Sequence, residues 1–265
     1  MIIQAEQPSR RHVAISQPAH SWVSGQLARV WGNVSFSHFD PFEQICYAAE
    51  QHDVGFLRWE TAPTLNKETG LPHSFEELPE DVHFEIWRTG IFQLRAICPY
   101  ASLIVSLHFC NLCERFHNRP AEGDQSGPVT FLNEQREYQQ AVRSSLQKDP
   151  LLQRTLENSV LAYHRDLLAA WDYLSLELCR GRSSYFKVPA PTSKETNTEI
   201  RVRKVEELPN VWELDPWPFK DRSVTAVCEA RKIPGRFHSA ETMRAALLEA
   251  ERFSLHFQLR PSATI

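Results

Sequence analysis

The 265-residue sequence has no apolar run long enough to span a membrane, and its first residues, MIIQAEQPSRRH, lack the apolar core of a secretion signal. It also lacks an excess of one charge, because 29 Lys and Arg oppose 33 Asp and Glu and leave a net charge of −4. Such a balance gives no broad field that would attract nucleic acid or anionic lipid. We therefore expect a cytoplasmic protein that binds neither a membrane nor nucleic acid, and the sequence leaves its oligomeric state open.

Internal repeats and long low-complexity tracts are absent, which excludes solenoid and array architectures. A disulfide framework is not indicated either, because the six cysteines are scattered through apolar segments. Only the segment CNLC, from Cys110 to Cys113, has the spacing of a zinc or redox pair, and a second pair is missing. Packing in the core is the favoured interpretation of this pair, with a zinc or redox site as the alternative.

The hydrophobic period changes along the chain, being mostly helical from Gln17 to about Arg180 and strand-like afterwards. The pattern predicts strands at EIRVRKVEE, SVTAVCEAR and FSLHFQL, a helix at TMRAALLEAE, and a possible further strand at HVAIS. The segment KVPAPTSKETNT is rich in Pro, Ser and Thr and predicts a loop or linker. We expect a mainly α protein, with a helical domain over residues 1–185 and a small antiparallel β plus helix element over residues 186–265 packed on it.

Several polar side chains fall on faces that the helical period predicts to be buried. His20 and His52 each lie on the apolar face of a helix, Asp53 follows His52 directly, and Asp172 falls within a row of leucines. A buried, unpaired carboxylate is unfavourable by several kcal/mol, so Asp172 needs a partner. A divalent cation such as Mn, Fe, Co, Ni or Zn would bind all four groups. The alternative is that each one is an ordinary hydrogen-bonded core or helix-end residue.

The order His, His-Asp, Asp resembles the HD-domain superfamily of metal-dependent phosphohydrolases, with intervals of 32 residues from His20 to His52 and 119 from Asp53 to Asp172. More closely, the chain is similar over nearly its whole length to an uncharacterised bacterial family of unknown function related to HD domains. The segments that carry this similarity are ISQPAHSWVSGQLARVWG, AAEQHDVGF, ETGLPHSF, YASLIVSLH and WDYLSLELC.

The resemblance implies an HD-domain-like helical bundle for the first domain. It also implies that His20 is the first metal ligand, that His52 and Asp53 are the signature pair, and that Asp172 is the last ligand. The implied activity is metal-dependent hydrolysis of phosphate esters, nucleotide-like ones included. The segment VGFLRWE after the pair matches no HD catalytic motif, so the acid-base residue and the substrate stay open.

Four further residues are candidates for catalysis or substrate binding. His108 lies on an inward helical face and is a candidate catalytic residue or additional ligand, because some HD proteins resemble a two-metal arrangement; a core histidine bonded to a backbone carbonyl is an equal alternative. Arg58, Trp59 and Lys67 closely follow the His-Asp pair and are predicted to bind substrate, with an ordinary solvated loop as the alternative.

The sequence therefore predicts a metal-dependent hydrolase that acts on a small phosphorylated molecule. A non-catalytic metal- or ligand-binding protein on the same scaffold is the alternative function.

Overall fold

The computed structural model describes residues 1–4, 12–117, 126–208 and 210–262 of the chain. Its helices are α1 (Gln17–Val30), α2 (Phe42–Gln51), α3 (Phe56–Thr61), α4 (Glu80–Ile97), α5 (Pro99–His117), α6 (Ser126–Leu146), α7 (Asn158–Arg180) and α8 (Ala240–Glu249). Its strands are β1 (Ile2–Gln4), β2 (His12–Ile15), β3 (Leu65–Asn66), β4 (Leu71–Pro72), β5 (Tyr185–Pro191), β6 (Asn197–Lys204), β7 (Val211–Asp215), β8 (Val224–Ile233) and β9 (Glu251–Pro261). No helix among these residues is both long enough and apolar enough to cross a membrane.

The expectation of a mainly α, HD-domain-like helical bundle with a small β extension is wrong. Seven strands form one curled, mixed sheet in the order β1-β2-β8-β9-β7-β6-β5, in which β7 and β9 are parallel and the other neighbours antiparallel. Strands β3 and β4 form a second, two-stranded sheet. The error arose because the hydrophobic period reports local structure, whereas the size of a sheet depends on pairing between distant segments, such as His12 of β2 with Ile233 of β8.

The segment predicted as a linker also forms part of the sheet. Lys187 to Pro191 lies in β5, which pairs with β6 along its whole length. Strand β5 is at the edge of the sheet, where a proline does not interrupt a ladder on its outer side, and this explains why Pro189 and Pro191 are tolerated. The sheet takes strands from both sides of the boundary expected at residues 185 and 186, and that boundary stays a prediction.

Helices α1 and α7 cover the sheet and share one hydrophobic core with it. Leu27 and Trp171 belong to the same buried cluster as Ile200, Leu214 and Cys228 of the strands. Helix α1 begins where Ser16 Oγ accepts a hydrogen bond from the backbone N–H of Ala19.

A side-chain amide fixes α1 to the strand below it. Gln26 Nε2 donates to the carbonyl of Val227 at 2.8 Å, and the Val227 N–H donates to Gln26 Oε1 at 2.9 Å. The inward face of α1 is thereby held at a defined position on β8.

Candidate metal centre

The structure brings His20, His52, Asp53 and Asp172 together in the interior. His20 projects from α1 and Asp172 from α7, while His52 and Asp53 lie in the turn between α2 and α3. The two histidine side chains are each 1% exposed, Asp53 is 7% exposed and Asp172 15%. The four groups, predicted from three separate helices, therefore form one cluster.

The distances within this cluster match those between ligands of a single cation. His20 Nε2 lies 3.1 Å from Asp53 Oδ2 and 3.5 Å from Asp172 Oδ1. His52 Nε2 lies 3.6 Å from Asp53 Oδ2 and 3.3 Å from Asp172 Oδ1. Two atoms bound to one ion at about 2.1 Å lie about 3.0 Å apart at a right angle and about 3.4 Å apart at the tetrahedral angle. The ligand atoms of His20, His52 and Asp53 all lie within 4.8 Å of one another.

The orientation of His52 also fits a metal ligand. Its Nδ1 lies 2.8 Å from the carbonyl oxygen of Ala49, which can only accept, so Nδ1 carries the hydrogen. In the neutral ring Nε2 then has a lone pair directed at the two carboxylates. This buried atom has no hydrogen-bond partner in the described part of the chain. A lone pair facing carboxylates is repelled unless a proton or a cation lies between them.

Electrostatics within the cluster favour a bound positive charge. Burial lowers the pKa of His52, but the carboxylates of Asp53 and Asp172 have the larger, opposite effect. The pKa is therefore raised to about 9. Burial raises the pKa of Asp53, yet the facing rings of His52 and His20 bring it below the usual range. The pKa of Asp172 lies well below its usual value, because the facing rings of His108 and His52 outweigh the effect of burial. A proton and a cation would compete for the same Nε2 lone pair of His52.

His108, which the sequence left between ligand and core residue, lies beside the cluster on α5. Its Nε2 is 3.2 Å from Asp172 Oδ2, the oxygen not directed at His20 and His52. Neither ring nitrogen forms a hydrogen bond of good geometry among the described residues, although the ring is completely buried. The backbone carbonyl partner that the core alternative requires is not observed among the described residues, and the choice between ligand and catalytic residue stays a prediction.

The cluster lies in the wall of a central cavity of about 810 Å³. Apolar side chains form much of its lining, including Trp87 and Phe109, whose rings stack with centroids 4.7 Å apart. The cationic side chains in the lining are Arg115, Arg165, Arg180 and Lys187. The sequence interpretation missed these four residues. The helical period offered a signal for two of them, because Arg165 and Arg180 stand about two turns before and after Asp172 on α7.

The three residues predicted to bind substrate do not join this cavity. Arg58 is exposed on α3, and Trp59 packs against two small apolar clusters. Lys67 lines a separate groove together with Phe237 and Arg244. In the described structure none of the three lines the cavity that holds the His-Asp cluster.

The CNLC pair packs as the core interpretation expected. Burial raises the pKa of the Cys110 thiol to about 12 and that of Cys113 to about 11. Cys113 is completely buried, and Cys110 Sγ accepts a contact of 3.3 Å from Gln139 Nε2. All six cysteines are free thiols.

The fold and the cluster together define an α/β protein with a buried His-Asp centre in the wall of a cavity that is partly open to solvent. Residues 1–235 match the family described as "Protein of unknown function (DUF3891)", and the chain belongs to that family. No curated protein and no solved structure matches the chain. The family of unknown function expected from the sequence is thus confirmed, whereas nothing in these comparisons relates the chain to HD domains.

Proposed function

We propose that the protein binds a divalent cation through His20, His52, Asp53 and Asp172 and hydrolyses a small phosphate ester in the central cavity. The observation that carries this proposal is the position of the cluster. Two imidazoles and two carboxylates, from three separate parts of the chain, meet at ligand-to-ligand distances in the wall of a cavity with cationic side chains. The donor set suits Mn, Fe, Co, Ni or Zn.

A divalent cation in such a set acidifies a water molecule and polarises a phosphoryl oxygen. The protein's own contribution is to hold the ligands and to attract the substrate. Arg165 and Arg180 supply positive charge on the α7 side of the cavity. Arg165 is fixed by Asp166 at 2.8 Å, and Arg180 by Glu177 at 2.5 Å. Each guanidinium is thereby ordered in advance, and a phosphate would compete for it with the paired carboxylate.

The apolar lining supports an ester whose alcohol part is bulky. A cavity of about 810 Å³ is far larger than a phosphate group needs. Trp87 and Phe109 present aromatic surface to it, against which an apolar alcohol part would pack. His108 lies at the junction of cluster and cavity and is the candidate for proton transfer, because its ring is not held by another hydrogen bond.

The test is hydrolysis of p-nitrophenyl phosphate and bis-p-nitrophenyl phosphate by protein loaded in turn with each of the five metals. Turnover that disappears in chelator and returns with metal supports the proposal. The double variant His52→Ala Asp53→Ala should be inactive, and Arg58→Ala, altered outside the cavity, should keep the parent rate. Metal binding without turnover of any ester would favour the non-catalytic alternative, and equal activity of the double variant would refute the site.

A further inference from the structure

Two buried serines, Ser175 and Ser24, form hydrogen bonds that connect the proposed ligand His20 to the backbone of the proposed ligand Asp172. Ser175 Oγ on α7 lies 2.8 Å from His20 Nδ1 and 2.8 Å from Ser24 Oγ on α1. Both serines are completely buried. Ser175 stands one helical turn after Asp172, and its hydroxyl donates to the Asp172 backbone carbonyl at 2.9 Å.

Matching the hydrogen-bond donors of His20, Ser175 and Ser24 to their acceptors gives this arrangement a specific role. If His20 Nε2 gives its lone pair to a cation, the neutral ring must carry its hydrogen on Nδ1. That N–H needs an acceptor, since a buried unpaired donor is unfavourable. Ser175 Oγ can accept it because the serine hydrogen already has an acceptor in the Asp172 carbonyl. Ser24 can donate to the second lone pair of the same oxygen and hold it in place.

We infer that Ser175, supported by Ser24, is the positioning residue that fixes His20 in its metal-binding tautomer and ties it to the Asp172 turn of α7. This inference rests on the proposed metal site. It assigns a role to a hydroxyl that would otherwise be an ordinary helix side chain bonded to the preceding turn. His52 needs no such device, because its Nδ1 is satisfied by the fixed carbonyl of Ala49.

The experiment measures binding of Co²⁺ to the purified full chain by its visible absorption. The variants are Ser175→Ala and, as a matched control, Ser102→Ala. Ser102 is also a completely buried helix serine that donates to the carbonyl three residues before it, but it contacts Tyr138 and belongs to another part of the core. Ser175→Ala should weaken Co²⁺ binding about 10- to 100-fold, the usual effect of removing such a partner, while Ser102→Ala should bind as the parent does.

Equal affinity of Ser175→Ala and the parent would overturn the inference while leaving the metal site intact. A parent that binds no Co²⁺ would refute the proposed function, and the inference with it. A second measurement needs no variant. In the zinc-loaded parent, nitrogen-15 NMR should show His20 protonated at Nδ1 and metal-bound at Nε2, and the reverse assignment would also overturn the inference.

Discussion

Asp172 Oδ2 lies 3.2 Å from His108 Nε2, while Oδ1 of the same carboxylate faces His20 and His52. One side chain thus contacts three imidazoles that come from α1, from α5 and from the turn after α2. No other described carboxylate contacts all three, which makes Asp172 the point at which the cluster is most sensitive to substitution.

Replacing Asp172 by Asn should reduce metal affinity by at least about 100-fold, because an anionic ligand becomes a neutral one of the same shape. Metal content after dialysis, measured by elemental analysis, tests this. Asp166→Asn is the control, since Asp166 lines the same cavity from the same helix but pairs with Arg165. Equal metal content in parent and Asp172→Asn would remove Asp172 from the ligand set.

Metal binding near neutral pH should release about one proton from His52. The pKa of this ring is raised to about 9, so the metal-free site is protonated below that pH and a cation must displace the proton. Affinity should therefore fall as pH falls below about 9, by up to about tenfold per unit. Calorimetric titration at one pH, in two buffers of different ionisation enthalpy, measures the released proton. Binding heats that do not depend on the buffer would contradict this assignment.

Arg165→Ala should raise KM for a phosphate ester roughly tenfold with a smaller change in kcat, because a charged contact to the substrate is lost. Arg58→Ala is the matched variant, since it removes the same group from a position outside the cavity. Steady-state kinetics of the metal-loaded protein separates the two. If Arg58→Ala raised KM and Arg165→Ala did not, the phosphate site expected from the sequence would replace the one inferred from the cavity.

Gly55→Ala should lower the free energy of unfolding by about 2–3 kcal/mol and weaken metal binding as well. A Cβ at Gly55 would lie 2.1 Å from the carbonyl oxygen of Ile86, and backbone cannot move aside cheaply. The turn carrying His52 and Asp53 would have to shift away from α4. Gly127→Ala is the control, because the contact there, at 3.0 Å, is with the end of a flexible Glu80 side chain. Urea denaturation of both variants gives the comparison, and a Gly55→Ala protein as stable as the parent would show that the turn can yield.

Acidification should destabilise the protein through His164, which lies outside the metal centre. Burial, with a smaller effect of Lys194, lowers its pKa to about 4, against about 6.5 in the unfolded chain. The unfolded state therefore binds the proton first. Neutral His164 contributes its full stabilisation above about pH 6.5. This contribution to the free energy of unfolding is lost as pH falls towards 4, at up to about 1.4 kcal/mol per pH unit. Denaturation midpoints against pH should be flatter in His164→Gln than in His73→Gln, a surface-loop control, and identical slopes would exclude His164 as the cause.

The local elements were largely predictable from the sequence. The strand expected at HVAIS is β2, TMRAALLEAE contains most of α8, and the inward faces of His20, His52 and Asp172 followed from helical spacing. A period of 3.6 or 2 residues reports which side of an element is buried, and burial is what the hydrophobic pattern encodes.

Strand pairing and the path of the chain between elements were not predictable in the same way. Nothing local to β5 indicates that its two prolines lie on a sheet edge, and nothing near residue 12 indicates that it pairs with residue 233. The substrate residues failed to join the cavity for a similar reason. Proximity to the His-Asp pair along the chain placed Lys67 near the site, whereas the chain turns away after α3 and carries it to another groove.

The wide separation of the ligands along the chain makes the centre a property of the complete fold. His20 and its partner Ser175 are 155 positions apart, and no contiguous segment contains enough ligands to hold an ion. A cation would bind the native chain and not the unfolded one, so it would act as a removable cross-link between the start and the middle of the sequence. At a hundred times its dissociation constant it would add about 2.7 kcal/mol to the free energy of unfolding. Thermal stability would then depend on the metal supply, even in a protein whose catalytic activity had been removed.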